Sequence, residues 1–157
     1  MPGVSQEWRI SDEALMRDLR GRLMRLERRE PAMNFVGLGQ AQRVRDRFID
    51  QEGPGREPWT PLAPVTIEKR EKDGFVPIRI LSERGDLAGS IVHRADDGGF
   101  VIGTDGSVND YAAIHQFGGQ AGRGLAVMIP ARPYLGFDDE DQELIAEELL
   151  DYLAGSA

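Results

Sequence analysis

Apolar residues near the start of the chain recur at the spacing of an α-helix. Four leucines follow one another at intervals of four, four and three residues and share one helical face: Leu15, Leu19, Leu23 and Leu26. Ser11 is expected to cap this helix, and Pro31 is expected to mark its end. A second helix is predicted over about residues 34–51, with Val44 and Phe48 on its inner face.

The middle of the chain combines prolines with short apolar runs. The segment REPWTPLAPVTIEKREKDG places three prolines around an aromatic residue and a leucine, which predicts an ordered connection. Pro64 is expected to begin a short helix there, because proline is favoured at the first helical position. The run ILSERGDLAGSI predicts another short helix that Ser82 caps. Its inward side chains are expected to be Leu81, Leu87 and Ile91.

The apolar spacing then changes to that of strands. SIVHRADDGGFVIGT predicts two strands joined by Asp-Asp-Gly-Gly, because β-branched and aromatic residues flank a tight glycine turn. DYAAIHQFGG predicts a helix that ends at glycine, and LAVMI predicts a strand that Pro130 closes. Four nearby glycines predict a mobile or specially shaped loop: Gly118, Gly119, Gly122 and Gly124.

The last segment predicts an acidic helix. Asp138 can cap it, and three more acids fall in its first turn, where the helix dipole favours negative charge. Its apolar face is formed by Leu144, Ile145, Leu149, Tyr152 and Leu153. The order of elements predicts an α+β fold: N-terminal helices, a small antiparallel sheet with an inserted short helix, and the acidic helix. We expect residues 1–33 to form a basic amphipathic helix and residues 34–157 a single α+β domain.

Composition limits the possible classes of protein. The 157 residues suffice for about one domain, and no apolar run approaches the roughly 18 residues that a membrane span needs. The N-terminal sequence lacks the basic start and apolar stretch of a secretory signal, so we expect a soluble protein made in the cytoplasm. The chain has no cysteine, which excludes disulfides, thiolate nucleophiles and sulfur-ligated metals.

The net charge of −8 is concentrated at one end of the chain. Residues 1–50 hold ten arginines and eight acids, whereas residues 138–157 hold eight acids and no base. An acidic chain disfavours tight binding to nucleic acid, because that affinity depends on neutralising phosphates. The arginines of the first helix are expected either to be solvated or to bind an acidic partner.

The candidate catalytic and metal-binding residues form no recognisable site. His93 lies in a predicted strand and is expected to be a surface or cross-strand residue. His115 has no second ligand at helical spacing, since Tyr111, Gly118 and Gly119 occupy those positions. A calcium loop fails for GTDGSVND, because the sixth and twelfth loop positions lack the required glycine and glutamate. We therefore predict no catalytic, metal or cofactor site.

The remaining conspicuous residues are of types that suit protein contacts. Aromatic residues and arginine dominate interface hot spots, and prolines reduce the entropy lost when a loop docks. We predict an interface that includes Trp59, Leu62, His115, Gln116, Phe117, Gly118, Gly119, Arg123, Arg132, Pro133 and Tyr134. Each of the aromatic residues among them fits the core of a domain equally well.

Four motifs together resemble a known family. WTPLAPVTIEKR, ILSERGDLAGSIVHRADDGGFVIGTD, YAAIHQFGG and IPARPYLGFDDED occur in this order before a helix. They resemble the phage virion morphogenesis family, the tail completion proteins of Mu-like and related tailed phages, over roughly residues 35–153. The motif positions map onto Trp59, Leu62, Leu81, Gly85, Leu87, Tyr111, His115, Phe117, Gly118, Pro130, Arg132 and Pro133.

The resemblance implies a virion component without enzymatic activity or cofactor. Similar proteins complete the tail at its head-proximal end, help to join tail and head, and form rings, expected here to be hexameric. The implied partners are further copies of the chain and the tail-tube or head-tail connector proteins, with no membrane. DNA would pass through the channel without specific binding, and the protein would reside at the head-tail junction after assembly in the host cytoplasm. Basic helices and an acidic helix at opposite ends of the chain would orient the subunits.

Three alternatives stay open from the sequence. The first is a tail terminator or neck protein that caps the tail tube. The second is a small hydrolase that uses His115, for which a His115→Ala variant would assemble normally and lose turnover. The third is a nucleic-acid binder, whose salt-dependent affinity would be lost on changing Arg22, Arg25 and Arg28.

Overall fold

The computed structural model describes residues 12–155, without the side chains of residues 109 and 110. These residues form an α+β fold with six α-helices and two separate two-stranded antiparallel sheets. The elements in chain order are α1 (Glu13–Glu27), α2 (Arg29–Asp50), α3 (Pro64–Lys72), α4 (Asp86–Gly89), β1 (Ile91–Asp96), β2 (Gly99–Thr104), α5 (Asn109–Phe117), β3 (Gly119–Ala121), β4 (Val127–Ile129) and α6 (Asp139–Ala154). The predicted fold class is confirmed.

The first two helices meet earlier than the sequence predicts. Asp12 caps α1 by accepting hydrogen bonds from two backbone N–H groups, while the predicted cap, Ser11, lies outside the described residues. The break falls at Arg28, whose backbone is extended, and α2 begins at once. Pro31 therefore does not end a helix. It lies in the first turn of α2, where proline's missing N–H has no helical acceptor to lose. The proposed division after residue 33 stays a prediction, although α2 spans that position.

The core forms where α2 crosses the β1–β2 hairpin. Gly37 allows this close approach, because a Cβ there would lie 3.1 Å from the His93 ring and 3.2 Å from Phe100. Phe48, further along α2, packs its ring against Trp59 at 5.4 Å and against Tyr134 at 5.5 Å. The buried cluster is completed by Ala41, Val44, Leu87, Ile91, Val108 and Ala112. Long-range aromatic contacts thus join the N-terminal helix region to the segment before α6.

The predicted β1–β2 hairpin is confirmed, with pairing from Ile91 opposite Thr104 to Asp96 opposite Gly99. The Asp96 carboxylate accepts from the N–H groups of the two following glycines and so shapes the turn. The short helix before it differs from its prediction. It begins at Asp86 after a left-handed Gly85, so Ser82 is not its cap. Leu87 and Ile91 are buried as predicted, and Leu81 is half-buried beside them.

A second hairpin occupies the region predicted to be a glycine loop. β4 confirms the strand predicted for LAVMI, but β3 begins at Gly119 and pairs with it through only three residue pairs. This hairpin and β1–β2 form separate sheets, so the single small sheet of the prediction is wrong. Left-handed or glycine-only backbone at Gly118, Gly122 and Gly124 produces the turns around it.

The C-terminal helix confirms the prediction for its first turn. The Asp138 side chain accepts from the N–H of Asp141, and the Asp141 carboxylate accepts from the N–H of Asp138, a capping box. Asp138 also accepts from the N–H of Gly55 at 2.6 Å. These backbone hydrogen bonds lower the pKa of Asp138 below its ordinary value. The cap therefore connects α6 to the turn that follows α2.

Candidate protein interface

The two motifs that carry the resemblance are bonded directly to each other. Gln116 of α5 accepts from the N–H groups of Tyr134 and Leu135 through Oε1, both at 3.0 Å. Its Nε2 donates to the carbonyl of Leu135 at 3.0 Å. One step earlier, the N–H of Arg132 donates to the carbonyl of His115 at 2.7 Å. The Gln116 side-chain amide thus bonds to the backbone of residues 134 and 135 as a neighbouring strand would. These hydrogen bonds join the two motifs.

The proline-rich connection holds the same segment from its other side. The Trp59 indole donates to the carbonyl of Pro133 at 2.8 Å. The Arg132 guanidinium donates to the carbonyls of Thr60 at 2.7 Å and Pro61 at 3.0 Å. Tyr134, two residues after Arg132, donates a hydrogen bond from its hydroxyl to the carbonyl of Ala112. The segment is therefore fixed between α5 and the connection that follows α2.

This arrangement separates the predicted interface residues into three groups. Three are buried in the single chain: Trp59, Arg132 and Tyr134. Three are exposed: Phe117, Arg123 and Pro133. Five are half-buried: Leu62, His115, Gln116, Gly118 and Gly119. The side chains of the first group point inward, because they hydrogen-bond to backbone carbonyls of the same chain. A contact role for all three groups stays a prediction.

Large apolar side chains stand exposed around the second hairpin. Phe117, at the end of α5, is 78% exposed. Leu125, Val127 and Met128 are also more than half exposed, on the hairpin or at its tip. We call residues 117–129 the contact loop. The sequence missed these three residues because LAVMI resembles an ordinary half-buried strand. One sequence feature indicates this exposure: the partner strand, Gly-Gln-Ala, has no large side chain to cover Val127 and Met128.

The apolar stripe of α1 is uncovered as well. None of the helix is buried, and its six large apolar residues are 38–63% exposed: Leu15, Met16, Leu19, Leu23, Met24 and Leu26. The helix is attached near its end, where the Arg25 guanidinium donates twice to the carbonyl of Leu153 on α6. Arg22 bonds Asp18 on the same helix at 2.9 Å. Two of the three arginines proposed for nucleic-acid binding are therefore engaged within the chain.

The histidines have structural surroundings. His93 is a cross-strand residue opposite Ile102, one of the two predicted placements, and its Nε2 lies 3.0 Å from the Asn34 side-chain oxygen of α2. His115 packs edge to face on Tyr111, and its Nδ1 is buried without a hydrogen-bond partner. Burial and the nearby Arg132 and Arg70 charges lower the pKa of His115, which favours the neutral ring. Within residues 12–155 no three His, Asp or Glu side chains are grouped to hold a metal ion.

Across the described part of the chain, no helix combines the length and the apolar character of a membrane-spanning segment. Exposed large apolar residues occur on several elements, and α1 and the contact loop carry ten of them. Exposed apolar surface marks sites of protein contact where it is contiguous.

Comparison with known proteins gives a consistent result. A sequence model of the phage virion morphogenesis family matches residues 10–154. The Mu-like prophage FluMu G protein 2 of Haemophilus influenzae is 43% identical over 72 residues, 46% of this chain and 50% of that protein. The putative capsid assembly protein G of Escherichia phage Mu is 37% identical over 116 residues, 71% of this chain and 69% of that protein. The chain thus spans half the length of the first relative. No solved structure matches it.

Proposed function

Because the chain belongs to the phage virion morphogenesis family, with a structural or assembly role in a phage, we propose that it completes the tail at its head-proximal end. In this proposal it helps to join tail to head as a homo-oligomeric ring, through which DNA passes without specific binding. Its neighbours above and below are the tail-tube and head-tail connector proteins. The name of the phage Mu relative, a putative capsid assembly protein, supports a position close to the head.

The observation that carries the proposal is the uncovered stripe of α1. A helix of 15 residues is marginally stable alone in water and normally depends on burial of its apolar face. Here that face lies open, although complete burial of one leucine is worth about 1.5–3 kcal/mol. A neighbouring copy that covers the stripe would supply this stabilisation. The helix is therefore suited to subunit contact.

A closed ring needs two different surfaces on each subunit, because each copy contacts two neighbours through a head-to-tail interface. The α1 stripe and the contact loop are two such surfaces, separated in sequence and attached to different elements. Charge adds orientation, since the arginines cluster in residues 1–50 and the acids in residues 138–157. Exposed ion pairs contribute only about 0–1 kcal/mol each, so the apolar surfaces must provide most of the affinity.

The absence of enzymatic activity is part of the proposal. His115 is the group that a hydrolase would use, but its Nδ1 faces no hydrogen-bond partner and its ring packs on Tyr111. The chain has no cysteine to act as a nucleophile, and the family role is virion assembly. A structural role accounts for His115, because its carbonyl receives the Arg132 N–H that joins the two motifs.

We expect a Leu19→Asp, Leu23→Asp variant to lose assembly. Both leucines lie on the exposed stripe, so the folded subunit tolerates the aspartates while a subunit contact would bury two charges at high cost. Light scattering during size-exclusion chromatography measures the mass. The wild-type chain should form a closed multiple of 17.4 kDa, six copies for a hexamer, and the variant should elute as a monomer.

The control is Val65→Asp, which changes an apolar residue in the first turn of α3 that is more exposed than either leucine. It should leave the mass unchanged, and circular dichroism should show the same helix content in all three proteins. If the Leu19→Asp, Leu23→Asp variant still assembles like the wild type, α1 does not form a subunit contact. A wild-type chain that is monomeric over the whole concentration range would count against a self-assembling ring.

A further inference from the structure

An open cleft of about 320 Å³ lies between α3, α4 and α5, away from the contact loop. Its charged and hydrogen-bonding lining includes Arg70, Arg84, Arg132 and His115, together with the carboxylates of Glu83 and Asp86. Tyr111 and three leucines supply the apolar part of its wall. The structural role given above to Arg132 uses only part of its guanidinium, and no other function described so far uses the cleft.

Arg132 is a buried charge without a counter-charge among the described side chains. Its side chain and backbone together are only 5% exposed. None of the carboxylates that the structure describes lies within ion-pairing distance of it, and its Nε and Nη2 donate to neutral carbonyls. Arginine is rarely buried without a paired acid, because an unpaired charge loses its hydration. Its pKa is lowered by burial and by Arg70, which is consistent with an uncompensated cation.

Two neighbouring groups have unused hydrogen-bonding capacity. The Arg70 side chain is largely buried. Its Nε lies 3.2 Å from the carboxylate of Glu83, whose side chain is half exposed to solvent. The Nε of Arg70 makes no hydrogen bond of good geometry, and neither does the buried Nδ1 of His115. The cleft thus combines the guanidinium groups of Arg70, Arg84 and Arg132 and the His115 imidazole with two carboxylates, and its arginines outnumber its acids. An anion with two oxygens, such as a carboxylate, matches the planar guanidinium donors.

The chain itself carries a matching set of carboxylates on α6. Four acids recur at intervals of four residues and so form one stripe along the helix: Asp139, Glu143, Glu147 and Asp151. All four are exposed, and none makes an ion pair in the part of the chain that the structure describes. Like charges at this spacing destabilise a helix by about 0.2–0.5 kcal/mol per pair. A cationic surface that covers the stripe would reverse this effect.

We propose that a carboxylate of this acidic stripe on one copy of the chain enters the cleft of a neighbouring copy and pairs with Arg132 and Arg70. The inference rests on the proposed homo-oligomer and specifies one of its contacts. It accounts at once for the buried Arg132, which has no ion pair among the described side chains, and for the exposed acids of α6. A charge pair that is removed from water in this way contributes orientation as well as affinity.

Chemical cross-linking tests the contact directly. Arg70→Lys keeps the positive charge and places a primary amine in the cleft, where a carbodiimide joins it to a touching carboxylate. Equal amounts of ¹⁵N-labelled and unlabelled protein are mixed before the reaction, so peptide masses distinguish links between copies from links within one. We expect a link between copies from the introduced amine to the peptide that contains residues 139–151. The wild-type chain, whose native lysines are Lys69 and Lys72, and an Arg94→Lys variant on the exposed side of β1 should not give this product.

Neutralising the stripe gives a second, independent readout. Glu143→Gln with Glu147→Gln should raise the protein concentration at which the oligomer is half dissociated by about tenfold or more. The control variant Asp50→Asn with Glu57→Gln removes two exposed acids elsewhere on the chain. It should leave the concentration of half dissociation unchanged. An oligomer that yields links only to Glu83 of the same copy, and that the stripe variant does not weaken, would overturn this inference and leave the proposed ring intact. A monomeric wild-type chain would overturn both.

Discussion

Replacing Arg47 with alanine should lower the free energy of unfolding by about 3–5 kcal/mol, which is the usual result of removing one partner from a buried ion pair. Arg47 is almost completely buried. Its Nη2 lies 2.6 Å from the Asp141 carboxylate, and its Nη1 donates to the carbonyls of Tyr134 and Gly136. The substitution leaves Asp141 and two carbonyls short of a donor. Arg43, 3.6 Å from Asp141, is the remaining nearby cation.

Urea unfolding followed by tryptophan fluorescence measures this loss, because Trp59 packs against Phe48 in the same core. Arg94→Ala is the matched control, since Arg94 is exposed on β1 and such changes are usually worth less than about 0.5 kcal/mol. A loss below about 1 kcal/mol for Arg47→Ala would contradict the view that this arginine joins α2 to the start of α6.

Gly118→Ala should cost at least about 3 kcal/mol of folding free energy. Gly118 has φ of 72° and ψ of 176°, a region of backbone geometry that is essentially restricted to glycine. A Cβ at this position would also lie 2.8 Å from the backbone nitrogen of Ala131, beside the hydrogen bond between Arg132 and His115. Both effects act where the two motifs meet, so the contact loop should lose its fixed position as well.

Gly124→Ala separates backbone strain from crowding. Gly124 also has a positive φ, 71°, but its ψ of 19° lies in the left-handed helical region, and no atom lies within 4 Å of the added Cβ. We expect a loss of about 1–2 kcal/mol there, measured by the same urea unfolding. Equal losses for the two variants would show that the packing of Gly118 against Ala131 is not a tight constraint.

The sequence predicted those elements whose signals are local. The leucine spacing of α1, the glycine turn of the first hairpin and the acidic start of α6 each determine their own geometry, and each is confirmed. The boundary near Pro31 was wrong because proline is compatible with both the end of a helix and its first turn. The second hairpin was missed because strands of three residues rich in glycine have no periodicity to detect. Contacts distant in sequence determine it.

The sequence indicates candidate contact residues but not which of their side chains are buried. Aromatic residues and arginines serve both interfaces and cores, and residue type alone does not distinguish the two. Trp59 and Tyr134 turn inward because the Pro133 and Ala112 carbonyls accept their hydrogen bonds, whereas Phe117 is the last residue of α5 and is largely exposed to solvent. The sequence predicts Gln116 to be a contact residue. Its amide instead completes the backbone hydrogen bonding of the 134–135 segment.

The position of the protein in the virion tests the central claim most directly. Particles of the encoding phage, grown with a peptide tag at the C-terminus of the chain, can be labelled with antibody-bound gold and imaged by electron microscopy. The proposed ring at the head-tail joint predicts gold at a single site where the head meets the tail, in infectious particles. Labelling over the whole head, labelling at the distal tail tip, or complete absence from mature infectious particles would contradict it.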